Sequence, residues 1–112
     1  MSAYPLRQSD CGLSESVIRK ISDVFNHYPQ VERVVLYGSR AKAVHKTGSD
    51  IDLTLHGGTD LTLHILLRIA DDLDDLLLPY TFDLSIFRDI TDPDVKEHIR
   101  RVGVTMYEKP TP

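Results

Sequence analysis

The segment from Asp50 to His56 limits the possible folds of this chain more than any other. Polar and apolar residues alternate through it, with Asp50, Asp52, Thr54 and His56 interleaved with Ile51, Leu53 and Leu55. In an extended strand, residues two apart project from the same side. One face is therefore built to be buried, and the other carries two aspartates whose Cα atoms lie about 6.7 Å apart. Tyr80 to Phe87 repeats the pattern: Phe82, Leu84 and Ile86 form an apolar face, while Asp83 and Ser85 point the other way. A fold that buries both apolar faces against one layer of helices must gather three aspartates on the opposite side of the sheet.

The rest of the chain supplies those helices. From Leu13 to Tyr28 the apolar residues follow helical spacing, with Ser14 as N-cap, Leu13 and Ile18 as a hydrophobic staple, and Pro29 as the stop. Val31 to Tyr37 is β-branched and aromatic and reads as a strand. It runs into Gly38-Ser39, followed by an expected short helix over 40–43 and a polar loop over 44–49. Leu61 to Leu78 reads as a long helix ended by Pro79, with Leu66, Ile69, Ala70, Leu73, Leu76 and Leu77 facing inward. Leu63 and Leu67 add apolar surface beyond what one sheet face needs. Asp92-Pro93 starts a last helix that buries Val95, Ile99 and Val102 and ends at Gly103. Val104 to Tyr107 reads as a final short strand.

The expected class is α/β (α+β), in the order αβαβαβα, with a small mixed central sheet and helices packed mainly on one face. At 112 residues there is room for one core. Residues 1–12 carry little pattern and are expected to form a flexible arm ahead of a single domain over 13–112. A hydrophobic fraction of 41% excludes a disordered chain. The net charge of −4 argues against general nucleic-acid binding, which calls for clustered positive charge. Cys11 is alone, so no internal disulfide forms. Nothing resembles a signal peptide or a membrane span, and a cytoplasmic location is expected.

The carboxylates call for a counter-ion. Each pair at ~4 Å repels by about 1 kcal/mol in water and about 4 kcal/mol at an effective dielectric of 20. A divalent cation removes that repulsion, and all-oxygen donors favour Mg²⁺ or Mn²⁺ over zinc. Asp50, Asp52 and Asp83 are thus the candidate metal ligands. Gly38-Ser39, following a strand and opening a helix, suits a phosphate: glycine allows close approach, exposed amides bind anions, and the hydroxyl donates. Arg40 and Lys42 are the nearby cations for a triphosphate. His56 shares the aspartate face but reads as a surface histidine near a turn. The acidic run Asp71-Asp72 with Asp74-Asp75 reads as the solvated side of its helix. A phosphate cradle beside a carboxylate cluster describes metal-assisted phosphoryl chemistry.

Gly38-Ser39, ten residues, then Asp50-Ile51-Asp52 resembles the G-S-x10-D-x-D signature of the DNA polymerase β superfamily of nucleotidyltransferases. The stretch LYGSRAKAVHKTGSDIDL, Leu36 to Leu53, looks like its minimal nucleotidyltransferase (MNT) branch, whose third carboxylate is matched by Asp83. Ala43 stands where members often have Gly. The resemblance implies two magnesium ions (or manganese) on Asp50, Asp52 and Asp83, and ATP bound at Gly38, Ser39, Arg40 and Lys42. It also implies transfer of AMP to a hydroxyl, that of a tyrosine, of a small all-helical HEPN-type toxin, with which the chain is expected to form a hetero-oligomer as antitoxin. Two other readings compete: an antitoxin that neutralises its partner by contact alone, and a metal-dependent nuclease, which leaves Gly38-Ser39 without a role.

Overall fold

The computed structural model describes residues 13–37 and 50–110. In chain order these form α1 (Glu15–Asn26), β1 (Val31–Tyr37), β2 (Ile51–Gly57), α2 (Leu63–Asp74), β3 (Phe82–Ile86), a 3₁₀ turn (Phe87–Asp89), α3 (Pro93–Val102) and β4 (Val104–Glu108). The expected arm over 1–12, short helix over 40–43 and loop over 44–49 lie outside the described residues.

The helix starts follow from local chemistry. Ser14 caps α1 by accepting from the Val17 amide at 3.1 Å, and Leu13 and Ile18 on either side are both buried. Asp92 caps α3 through the Asp94 amide at 2.9 Å, with Pro93 in the first turn. Gly103 closes α3 with ordinary φ of −66°. What it needs is space: an added Cβ would lie 2.4 Å from the Ile99 carbonyl oxygen and 2.6 Å from Val35 Cγ1.

The four strands form one mixed sheet in the order β3-β2-β1-β4. β2 and β4 run antiparallel to β1, and β3 runs parallel to β2. Register fixes the faces. Leu36, Leu53 and Leu84 lie in one row, and Val34, Leu55 and Ile86 in the next. These rows face α1 and α2, whose Ile18, Ile21, Phe25, Ile69 and Leu73 complete the buried cluster. Two helices thus cover one face, as the alternation required. The third does not join that core. Ile99 of α3 is buried instead on the opposite face, where Val35 sits beside Gly103.

Several details differ from expectation. The long helix runs Leu63–Asp74 rather than 61–78. Leu77 adopts a left-handed φ of 56° and is 89% exposed, so it belongs to the helix stop and not to the inner stripe. Leucine favours helix, but the left-handed turn before Pro79 overrides that preference. Leu63 and Leu67 are exposed, as expected. On α3 only Ile99 is fully buried; Val95 is exposed, because that helix touches the sheet through its C-terminal half. β3 ends at Ile86, and Phe87 enters the 3₁₀ turn. The Tyr28 hydroxyl donates a hydrogen bond to the Asp72 carboxylate and so ties α2 to the end of α1, while Asp71, Asp74 and Asp75 are solvated. Among the described residues, no helix is long and apolar enough to cross a membrane.

Candidate active site

The face opposite the main core carries the polar rows. Tyr37 of β1 pairs with Asp52 of β2, and Asp52 pairs with Asp83 of β3. Directly paired residues share a face, so these three side chains stand in one line across three strands, with neighbouring backbones about 4.8 Å apart. The edge is fixed by the Ile51 amide, which donates to the Thr81 carbonyl at 2.8 Å. Asp50 sits one residue before β2 and is exposed; Asp83 is exposed as well, and Asp52 is half-buried. The strand alternation that gathers the aspartates thus appears as a register pair with a third carboxylate at its end.

The electrostatics are those of uncompensated like charges. Burial pushes the Asp52 carboxyl above the usual carboxylate range, and Asp83 and then Asp50 push it further. The Tyr37 phenol also moves up. Burial is the main cause, the Ser85 hydroxyl opposes it, and Asp83 and Asp52 add to the rise. Among the described residues, no three His, Cys, Asp or Glu side chains are drawn into a cluster able to hold a metal ion. The donor chemistry nonetheless fits a hard cation. Paired all-oxygen ligands sit on adjacent strands with a third beside them, and the carboxylates of Asp50 and Asp83 are exposed.

β1 ends at Tyr37, directly across from Asp52, and the chain continues from there into Gly38-Ser39. Gly38, Ser39, Arg40 and Lys42 lie outside the described residues. Tyr37 was not anticipated from sequence; its membership of the row depends on the β1–β2 register.

Farther along the same face a second set of side chains assembles. His56 stacks on Phe87 with ring centroids 4.6 Å apart, and Arg33 Nη2 lies 3.5 Å from His56 Nε2. His56 is therefore half-buried and built in, rather than a free surface histidine. Burial lowers its basicity, the Arg33 charge lowers it further, and Glu32 opposes the shift. Arg88 of the 3₁₀ turn donates to the Gly58 and Leu61 carbonyls, which anchors this end of the face. Periodicity gave no sign of this grouping, because its members come from separate elements.

A family model described as polymerase beta, nucleotidyltransferase matches residues 19–111. The match spans most of the chain, which belongs to this nucleotidyltransferase family. Solved structures share its fold. One is a toxin-antitoxin complex with AMP-PNP, at 21% identity and a TM-score of 0.66 over 87% of this chain and 75% of that one. Another is a toxin-antitoxin MntA-HepT structure, at 18% identity and a TM-score of 0.64 over 86% and 74%. A third is a complex of a tri-AMPylated Shewanella oneidensis HEPN toxin with its MNT antitoxin, at 18% identity and a TM-score of 0.63 over 85% and 72%. No curated protein matches the sequence.

Proposed function

We propose that the chain is a Mg²⁺-dependent nucleotidyltransferase of the MNT type. It moves AMP from ATP to a hydroxyl, a tyrosine, on a small helical HEPN-type toxin for which it serves as antitoxin. The observation that carries this reading is the register pair of Asp52 with Asp83, at the point where β1 leads into Gly38-Ser39. Family membership supports the reaction class. Neighbours of the same fold, in complexes with AMP-PNP and with an AMPylated HEPN toxin, support the nucleotide and the partner.

In this mechanism Asp50, Asp52 and Asp83 would hold the cation. When bound, magnesium neutralises the phosphate charge and makes the acceptor hydroxyl more acidic. The remaining roles belong to the chain. Gly38 amides and Ser39 bind the terminal phosphates, and Arg40 and Lys42 offset their charge. Asp83, the most exposed member of the row, accepts the proton from the attacking hydroxyl as the hydroxyl oxygen bonds the α-phosphorus and the bond to the β-phosphate breaks, releasing pyrophosphate. The rigid sheet holds nucleotide and hydroxyl in line, which lowers the entropic part of the barrier.

The contact-only reading has one observation in its favour, the exposed Leu63 and Leu67 on α2, which suit a docking surface. Both readings are tested by incubating the chain and its HEPN-type partner with α-labelled ATP and Mg²⁺. Label on the partner that vanishes with Asp52→Asn supports transfer. Full neutralisation by Asp52→Asn, with no label in either sample, supports contact alone.

A further inference from the structure

The second cluster on the carboxylate face forms a groove of about 260 Å³. Its floor is Val35 and Ile99, and its rim carries Arg33, His56, Arg100 and Thr105. Two of the cations lie over one aromatic ring. Arg100 Cζ lies 5.6 Å and Lys96 Nζ 5.4 Å from the centre of Phe87, whose ring stacks on His56 beside Arg33. Among the described residues, no carboxylate comes within ion-pair distance of Arg33 or Arg100, although Glu108 is the register partner of Arg33 on β4. In a chain of net charge −4, a groove lined by two guanidinium groups with no carboxylate partner among the described residues stands apart from the overall balance. Planar guanidinium groups, Arg100 over the Phe87 ring and Arg33 beside the His56 ring, suit a carboxylate better than a mobile ammonium would.

The position of the groove indicates which substrate meets it. Arg33 lies four residues before Tyr37 on β1, at the end of the strand away from Gly38-Ser39. The groove thus lies toward the end of β1 opposite Tyr37, and its cations are not among the residues assigned to the triphosphate, which leaves them for the other substrate. His56 stands four residues from Asp52 on the same face of β2, about 13 Å along the strand, the span of about four extended residues.

We propose that this groove is a specificity subsite for the acceptor polypeptide: it binds an acidic side chain, Asp or Glu, about four residues from the hydroxyl that is modified. The acceptor then runs along the carboxylate face past the buried Val35 and Thr54, its hydroxyl at the carboxylate row and its acidic residue between Arg33 and Arg100. The acceptor role rests on the transferase reading above; the binding of an acidic peptide does not.

The test uses synthetic peptides with one tyrosine and either Glu or Gln four residues from it, on its N-terminal or C-terminal side. Each is titrated into the ¹⁵N-labelled full chain without metal or nucleotide. One Glu peptide should move the Arg33, His56, Gly103 and Thr105 signals and bind about tenfold tighter than its Gln twin, a contrast that fades with salt. Arg33→Gln with Arg100→Gln should erase the contrast while leaving the rest of the spectrum in place. Equal binding of Glu and Gln peptides, or shifts confined to other surfaces, would overturn the subsite; this comparison uses the unaltered chain and needs no variant to fold. In the labelled-ATP assay, Arg100→Gln should raise KM for the acceptor and leave KM for ATP unchanged. A rise in KM for ATP instead assigns the groove to the nucleotide and refutes the proposal. A wild-type chain that transfers nothing ends the acceptor role, while the titration still decides whether the groove binds the acidic peptide.

Discussion

The two faces of the sheet divide the work of the molecule. On the helix-covered face Leu36, Leu53 and Leu55 are fully buried against α1 and α2. On the other, the same strands present Tyr37, Asp52 and Asp83 at one end and Arg33 and His56 toward the other, where Phe87 of the 3₁₀ turn joins them. One backbone thus serves stability and chemistry through alternate residues. Substitutions one position apart should therefore have different consequences, and that is where the comparison can be broken.

The largest effect belongs to the open face. Asp52→Asn should lower transfer roughly a thousandfold while the domain stays folded, since it removes a charge already repelled by Asp83 and Asp50. Radiolabel transfer read beside circular dichroism checks this; an unfolded variant would mean that the faces are not separable. The neighbouring Leu53→Ala should do the reverse. Deleting a fully buried leucine in a central strand should lose about 3 kcal/mol of unfolding free energy in urea titrations. A loss under about 1 kcal/mol would indicate a core looser than described.

Smaller effects sharpen the picture at its margins. Leu77→Gly should raise stability by about 0.5 to 1 kcal/mol, because leucine is held at φ 56°, where a side chain is strained and this one is exposed. Thermal melts decide it, and a drop would show that the leucine has a partner on α2. The smallest effect is in pH. His56 is less basic folded than unfolded, so the folded state favours the neutral ring. Its contribution is fully present above the unfolded value of about 6.5 and is lost as pH falls from there toward the lower folded value. Melting temperatures at pH 7.5 and 5.5 should therefore fall slightly less for His56→Gln than for the wild type. An equal or steeper fall in the variant would contradict the sign.

The division between faces was legible in the sequence because strand alternation is local. The pattern at 50–56 and 82–86 carries its own face assignment, so the alignment of Asp52 with Asp83 needed only two adjacent parallel strands. Caps at Ser14 and Asp92 were equally local. The helix stop at Leu77 was not, since leucine and its neighbours continue an apolar stripe and only the turn geometry shows where it ends. α3 returning over the open face was also hidden: the spacing of Val95, Ile99 and Val102 marks an apolar stripe but not the face it meets. The groove was least legible of all, because Arg33, Phe87 and Arg100 are far apart in the chain and meet only through the sheet order and the path of α3.

The central claim is that residues 50, 52 and 83 converge on a cation beside the nucleotide. A crystal structure of the chain grown with Mn²⁺ and AMP-PNP, with anomalous data collected for manganese, tests it most directly. An anomalous peak beside the Asp50, Asp52 and Asp83 carboxylates and the nucleotide phosphates is the expected result. Nucleotide bound with manganese elsewhere, or Asp83 turned away from the ion, would contradict it.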